Sequence, residues 1–270
     1  MKERIALVIP TMKSGGAERV LSELANQWAN QNIDVHLILL ANTEKFYQVD
    51  SKITIHQLGF KNIGGKGRKF ISEIKTFCQL RQLLKELSPN AVLSFMTKYN
   101  VFTIMASVGL KLNLFVSDRS NPYKKLPLII SQLRKYLYPV TTGIIAQTEE
   151  AKKVLRKLTG HKNIHVIPNP VRDVKVFPDV QREKIIVNMG RMVPEKGQKY
   201  LLEAFSLIKN HDWKLVILGD GPLSKKLEKQ IQELRISENV FLPGLVNNVD
   251  EWLAKSSIFV FSSVSEGFPN

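Results

Sequence analysis

Three short stretches of this sequence carry residue types that could do chemistry together. Glu266-Gly267-Phe268-Pro269-Asn270 follows an apolar run, Ile258-Phe259-Val260-Phe261, and a small polar connector, Ser262–Ser265. Such a run predicts a buried parallel strand whose carboxyl end opens into a loop, the place where open α/β sheets hold ligands. A carboxylate there accepts hydroxyls, a glycine lets the backbone come close, and a proline stiffens the turn, which together suit half of a sugar-nucleotide site. Gly190-Arg191-Met192-Val193-Pro194-Glu195-Lys196-Gly197 lies between another strand and helix. The Arg191 fork and the Lys196 point charge would clamp a diphosphate and stabilise negative charge as a phosphate leaves. Gly15-Gly16, in Pro10–Arg19, opens a helix and lets backbone N–H groups approach an anion, with a plain tight turn as the competing reading.

Two further turns are more equivocal. Gly244-Leu245-Val246 follows a strand end, where the backbone at Leu245 could meet a base or simply turn. Gly219-Asp220-Gly221-Pro222 reads as a turn in which Asp220 caps a helix beginning at Pro222. Gly64-Gly65-Lys66-Gly67-Arg68 lacks phosphate-loop spacing and reads as a flexible basic loop. The five histidines show no metal-ligand spacing, and His36, His56 and His165 fall inside strand patterns.

Alternating strand and helix signals position these turns. Strands are expected at Ile5–Ile9, Val35–Leu40, Ile53–Leu58 (an edge), Ala91–Phe95, Leu114–Ser117, Gly143–Gln147 and Ile164–Ile167, with helices between them. Pro168-Asn169-Pro170 and the polar stretch to Glu183 suit an interdomain linker. A second series begins at Ile185–Met189 and continues through Lys214–Leu218, Val240–Leu242 and Ile258–Ser262. The expectation is α/β, with two doubly wound parallel sheets in domains 1–170 and 171–270. The second domain is expected to be incomplete, because no helix follows its last strand.

The chain has 270 residues, one cysteine (Cys78) and a net charge of +15. That charge is concentrated: residues 1–170 carry 25 Lys and Arg against 11 Asp and Glu, while 171–270 carry 14 against 13. Apart from solubility, the excess fits an anionic membrane surface or a phosphorylated substrate. Nucleic acid is disfavoured, since no interleaved aromatics or binding module accompany the charge. Residues 61–85 hold seven of the cations and one acid, Glu73. From Phe70 onward, Phe70, Ile74, Phe77, Cys78, Leu84 and Leu87 fit one apolar helix face, with Arg68, Lys75, Gln79 and Gln82 on a polar one. That polar face reads either as solvated surface or as a phosphate- or membrane-facing helix.

Ser14–Arg19, Ile167–Pro170, Gly190-Arg191 with Lys196-Gly197, Gly219–Pro222 and Ser265–Asn270, taken in order, resemble the retaining glycosyltransferases of family 4. Ser117-Asp118-Arg119-Ser120-Asn121 and the basic helix resemble bacterial enzymes that add N-acetylhexosamines to polyprenyl-diphosphate-linked glycans. The resemblance implies a GT-B fold, two Rossmann-like domains facing across a cleft, and metal-independent transfer from a nucleotide-diphosphate sugar without a cofactor. It implies a front-face displacement in which the leaving phosphate accepts the acceptor's proton, in keeping with the lack of an evident nucleophilic carboxylate. Arg191 and Lys196 would hold the leaving diphosphate, and Glu266 the transferred sugar's hydroxyls. Gly15, Gly16, Gly190, Leu245, Gly267, Phe268, Pro269 and Asn270 would bind the donor. Arg68, Lys69, Lys75 and Arg119 would serve the acceptor, Arg119 standing nearest the place where many members carry a histidine. The implied location is the cytoplasmic face of the cell membrane, held peripherally. The family's second glutamate would fall beyond Asn270, so an inactive remnant binding only nucleotide sugar or membrane is the alternative.

Overall fold

The computed structural model describes residues 2–60, 66–171, 174–208 and 212–266, with the backbone alone of 66–69. The chain forms two compact units, one reaching Pro170 and the other running from Val171 to Glu266.

The first unit is a seven-stranded parallel sheet in the order β3-β2-β1-β4-β5-β6-β7. The strands are β1 (Arg4–Ile9), β2 (Asp34–Leu39), β3 (Thr54–Gln57), β4 (Ala91–Phe95), β5 (Leu114–Ser117), β6 (Gly143–Ala146) and β7 (Ile164–Val166). The expected edge strand is β3, and it does lie at an edge. Helix α1 (Gly16–Asn30) covers one face through Val20, Leu21, Ala25 and Ala29. Helices α2 (Lys66–Leu87), α3 (Thr97–Ser107), α4 (Leu128–Leu137) and α5 (Glu149–Thr159) cover the other. The strand order reverses between β1 and β4, so the loops after these strands border a topological switch point, where open α/β sheets bind ligands. His36 and His56 stack across β2 and β3, with ring nitrogens 2.9 Å apart, as strand residues.

Helix α2 corrects the expected apolar face. Thr76, Leu80 and Leu84 are the buried positions, with Phe77, Leu83 and Leu87 partly buried beside them. Phe70, Ile74 and Cys78 are exposed. Periodicity finds an apolar stripe but not which part of it meets a neighbour, and here only the second half of the helix packs on the sheet.

The second unit is a four-stranded parallel sheet in the order β10-β9-β8-β11. Its strands are β8 (Glu183–Met189), β9 (Lys214–Leu218), β10 (Val240–Gly244) and β11 (Ser256–Phe259). Helices α6 (Gln198–Ser206), α7 (Ser224–Glu233) and α8 (Val249–Lys255) connect them. Strand β11 begins two residues before the expected Ile258 and ends at Phe259. Past that point Asn188, a polar residue inside an apolar strand, donates from its amide to the Val260 carbonyl (2.8 Å) and to Ser262 Oγ (3.3 Å). The Val260 amide still donates to the Val187 carbonyl (2.9 Å), so a side chain joins the backbone ladder at its end. Nor is the strand buried: it is the sheet edge, paired only with β8 among the described residues, and Ile258, Phe259 and Phe261 are exposed. Helix α7 starts at Ser224 rather than Pro222, because the Asp220 carboxylate accepts from the Gly221 amide (2.7 Å) and Ser224 Oγ (2.7 Å) and so closes the turn first.

Candidate functional site

In the second unit, two loops from neighbouring strands meet at their carboxyl ends. The turn after β8 runs from Gly190 through a short 3₁₀ segment, Pro194–Lys196, to Gly197. The segment after β11 lies alongside: the Val264 amide donates to the Glu195 carbonyl (2.9 Å), and Ser262 Oγ to the Lys196 carbonyl (2.9 Å). The end of β9 and the loop after it brace the same turn. The Gly190 amide donates to Leu218 (2.9 Å) and the Met192 amide to Asp220 (3.0 Å), while Leu223 donates back to Met192 (3.1 Å). The Gln198 side-chain amide donates to the carbonyls of Gly190 and Arg191. Gly197 is left-handed at φ 64°, and a methyl there would stand 2.2 Å from the Ser262 carbonyl oxygen, so only glycine lets the two loops touch.

This bracing brings Lys196 Nζ to 2.6 Å from Glu266 Oε1, with each side chain about a quarter exposed. The Lys196 stem crosses Gly190, where a methyl would lie 3.3 Å from Cδ, and its ammonium stands 5.6 Å from the Phe261 ring centroid. Arg191, at the start of the turn, is exposed, and its guanidinium pairs with no carboxylate among the described residues. The structure thus brings two predicted residues together, a clamped ammonium and a carboxylate, while Arg191 shares the turn with its side chain exposed. Leu245 lies exposed just past β10, whose Gly244 carbonyl accepts from the Gly219 amide (2.8 Å). Gly267, Phe268, Pro269 and Asn270 lie outside the described residues.

In the first unit Gly15 precedes α1 in extended backbone (φ −158°, ψ 158°), with no side chain capping the helix. The Glu18 carboxylate, buried in the first turn, folds back over it: a methyl at Gly15 would lie 2.2 Å from Oε2. An anion of the chain's own therefore sits at the positive end of the helix, where a phosphate would be favoured. Gly16 is the first helical residue.

Arg119, two residues past β5, is half-buried and faces inward. It donates to Ser117 Oγ (3.4 Å) and to Asn169 Oδ1, and its guanidinium lies 5.1 Å from the Phe95 ring centroid. Burial lowers its pKa to about 10. Its neighbour Asp118 anchors the loop: Oδ1 accepts from Thr97 Oγ1 (2.9 Å), Asn100 Nδ2 (3.1 Å) and Tyr138 OH (2.8 Å), and Oδ2 lies 3.5 Å from Arg134. Burial, with Asp118 next to it, pushes the Tyr138 phenol well above its ordinary range. Sequence reading missed this network, although Asp118 adjoins a predicted residue. It also missed Asn188, whose only signal was polarity within an apolar strand. Lys75 is exposed on α2, and the Arg68 and Lys69 side chains lie outside the described residues. Among the described residues no group of three His, Cys, Asp or Glu side chains could hold a metal, and no helix is long and apolar enough to cross a membrane.

Comparison with known proteins covers both units. Residues 14–174 match the family model described as Glycosyltransferase Family 4, and 172–270 match that described as Glycosyl transferases group 1. A Campylobacter jejuni protein named GalNAc-alpha-(1->4)-GalNAc-alpha-(1->3)-diNAcBac-PP-undecaprenol alpha-1,4-N-acetyl-D-galactosaminyltransferase is 30% identical, over 98% of this chain and 74% of its own length. A second from that organism, N-acetylgalactosamine-N,N'-diacetylbacillosaminyl-diphospho-undecaprenol 4-alpha-N-acetylgalactosaminyltransferase, is 29% identical over 99% and 76%. Among solved structures, Anabaena HepE in complex with UDP and glucose superposes with a TM-score of 0.78 at 17% identity, covering 98% of this chain and 76% of its own. Sucrose-phosphate synthase from Thermosynechococcus elongatus gives 0.79 at 15% identity, over 99% and 77%. The fold is that of the GT-B glycosyltransferases.

Proposed function

The chain belongs to glycosyltransferase family 4, and from that premise we propose that it moves a hexose from a nucleotide-diphosphate donor, a UDP-sugar, to a glycan carried on a polyprenyl diphosphate, with retention of configuration. The work is the building of cell-surface glycan. The two Campylobacter relatives, whose names place them on undecaprenol-linked glycans, support the acceptor class. HepE, described with UDP and glucose, supports the donor.

The observation that carries the reading is the Lys196–Glu266 pair at 2.6 Å, in the turn that Arg191 begins. In the reaction the bond from the sugar's anomeric carbon to the diphosphate oxygen breaks. The acceptor hydroxyl bonds to that carbon on the same face, and its proton passes to the departing phosphate. Arg191 and Lys196 supply positive charge where the diphosphate gains negative charge, most effectively because the loop holds them there beforehand. Glu266 exchanges its ion pair for the sugar's hydroxyls as Lys196 turns to phosphate. The reading includes neither a metal nor a cofactor beyond the co-substrate. In this reading Gly15, Gly16, Gly190, Leu245 and Gly267–Asn270 are the donor-binding residues.

On the acceptor side we place the chain peripherally on the cytoplasmic face of an anionic membrane. Phe70 (62% exposed) and Ile71 (67%) at the start of α2, and Leu128 (81%) and Ile129 (74%) at the start of α4, are apolar side chains left in solvent. Lys75, Lys98, Lys124 and Lys125 are exposed as well, and Arg68 and Lys69 precede Phe70 in α2. Exposed apolar anchors together with exposed lysines suit an interface of lipid and anionic headgroup. The test is UDP release from a panel of UDP-sugars with a polyprenyl-diphosphate-linked hexosamine acceptor. Acceptor-dependent release that Lys196→Ala abolishes supports the reading, and binding of UDP with no release under any pairing leaves a binding protein.

A further inference from the structure

Two buried or half-buried arginines of the first unit have opposite surroundings. Arg134, buried on α4, faces the Asp118 carboxylate at 3.5 Å. Arg119 faces none. Its partners are a serine hydroxyl, an asparagine carbonyl and a phenyl ring, and its Nε is closed from solvent without an acceptor. With a pKa of about 10 it keeps its proton at neutral pH, and no carboxylate among the described residues offsets that charge. Desolvating a guanidinium against neutral partners opposes folding, whereas a carboxylate or phosphate repays that cost.

The surroundings have the shape of a ligand edge. Phe95 ends β4, Ser117 ends β5, Gln147 follows β6 and Asn169 follows β7, so Arg119 stands at the carboxyl edge of four neighbouring strands. The Asn169 carbonyl also accepts from Gln147 Nε2 (2.7 Å). Arg19, in the first turns of α1, donates to the adjoining Pro170 carbonyl (3.1 Å), and its Nε too has no partner. Two guanidinium groups thus converge on the neutral dipeptide Asn169-Pro170 from opposite sides of the switch point.

We infer that Arg119 is a phosphate-binding residue, whose fork takes oxygens of a substrate diphosphate that supplies the counter-charge the fold leaves out. This deepens the acceptor-side role expected of Arg119. It rests on the transferase reading for the identity of the ligand, though not for its charge. A planar fork suits two phosphate oxygens at once, and the Phe95 ring holds the guanidinium plane for them.

Binding of inorganic pyrophosphate, measured by calorimetry and thermal shift, tests the inference. An Arg191→Ala/Lys196→Ala double variant removes the other cationic site and should still bind pyrophosphate. Adding Arg119→Gln should weaken that residual binding by roughly ten- to a hundredfold, the range for a charged hydrogen-bonding group. Arg119→Lys, which keeps the charge but not the fork, should fall between. Arg119→Gln should also leave the melting temperature level or raised, whereas Arg134→Gln should lower it by stranding the Asp118 carboxylate. Unchanged pyrophosphate affinity in both Arg119 variants overturns the proposal, whatever happens to stability. Repeating the titration with UDP and with farnesyl diphosphate tells donor from acceptor: the ligand whose affinity falls in Arg119→Gln supplies the phosphate. If neither falls, while Lys196→Ala loses UDP, Arg119 is no phosphate site and the transferase reading stands.

Discussion

The turns after the first strand of each unit occupy equivalent places in their sheets, yet they are held by different means. The turn after β8 is set in backbone: the segments after β8, β9 and β11 exchange main-chain hydrogen bonds around Gly190–Gly197, and Lys196 arrives at Glu266 as a result. The turn after β1 rests on fewer bonds, chiefly Phe46 N to the Met12 carbonyl (2.9 Å), and its glycine is overlaid by one movable side chain, Glu18. A backbone-braced loop suits a site that must stabilise charge without rearranging. A loop closed by a side chain suits one that opens to admit an anion. Charge follows the same division, since the cationic excess belongs to residues 1–170.

The largest effect expected from this contrast is on turnover. Lys196→Ala should lower kcat by on the order of 10²–10³, the loss typical of one preorganised charge-stabilising contact. Its melting temperature should barely move, because a partly exposed ion pair contributes about 0–1 kcal/mol. A folded variant with near-normal kcat would show that the bracing serves stability alone.

Much of this arrangement could be read from sequence, and the failures share a cause. The bounds of β4, β5 and β9 follow from short apolar runs between turn residues, which local pattern captures fully. Lys196 and Glu266 could each be placed at a strand's end. Their contact could not, because 70 residues separate them and only the sheet order brings β11 beside β8. Phe70, Ile74 and Cys78 share a helical stripe with Phe77 and Leu84, which points them inward, but sequence does not say where the sheet beneath α2 stops. The lack of a carboxylate near Arg119 among the described residues is likewise a property of four strand ends at once, not of Ser117–Asn121.

The cationic half of the comparison can be tested on vesicles. Replacing Arg68, Lys69 and Lys75 together by alanine should weaken binding to anionic liposomes roughly a hundredfold, at about 1 kcal/mol for each charge near the surface. Binding should fall with salt, since screening acts over roughly 8–10 Å at physiological strength. Co-sedimentation across lipid charge and salt measures both. Equal binding by wild type and variant would return α2 to ordinary solvated surface.

Stability separates the two turns next. Gly197→Ala must adopt a left-handed backbone and push its methyl against the Ser262 carbonyl, so a loss of about 1–3 kcal/mol is expected. Chemical denaturation gives the value directly. A loss of a few tenths would mean that the β8 and β11 loops part easily and that the bracing is weaker than its hydrogen bonds suggest.

Gly15→Ala should have the smallest effect on stability, and its sign is informative. The backbone at Gly15 is extended, a conformation any residue adopts, so alanine introduces no strain there. Its methyl meets only the Glu18 carboxylate, the far end of a flexible side chain. Replacing glycine where the conformation suits alanine gains about 0.4–1 kcal/mol through the unfolded chain, and moving Glu18 offsets part of that gain. The net change in unfolding free energy should therefore lie near zero. Affinity for a UDP-sugar should nevertheless fall, because a methyl would stand where the donor's phosphate approaches the start of α1. Denaturation and donor titration on the same preparation separate the two effects. A variant that loses stability as Gly197→Ala does would show that the first turn is braced like the second, and one that keeps full donor affinity would show that Glu18, not Gly15, faces the ligand.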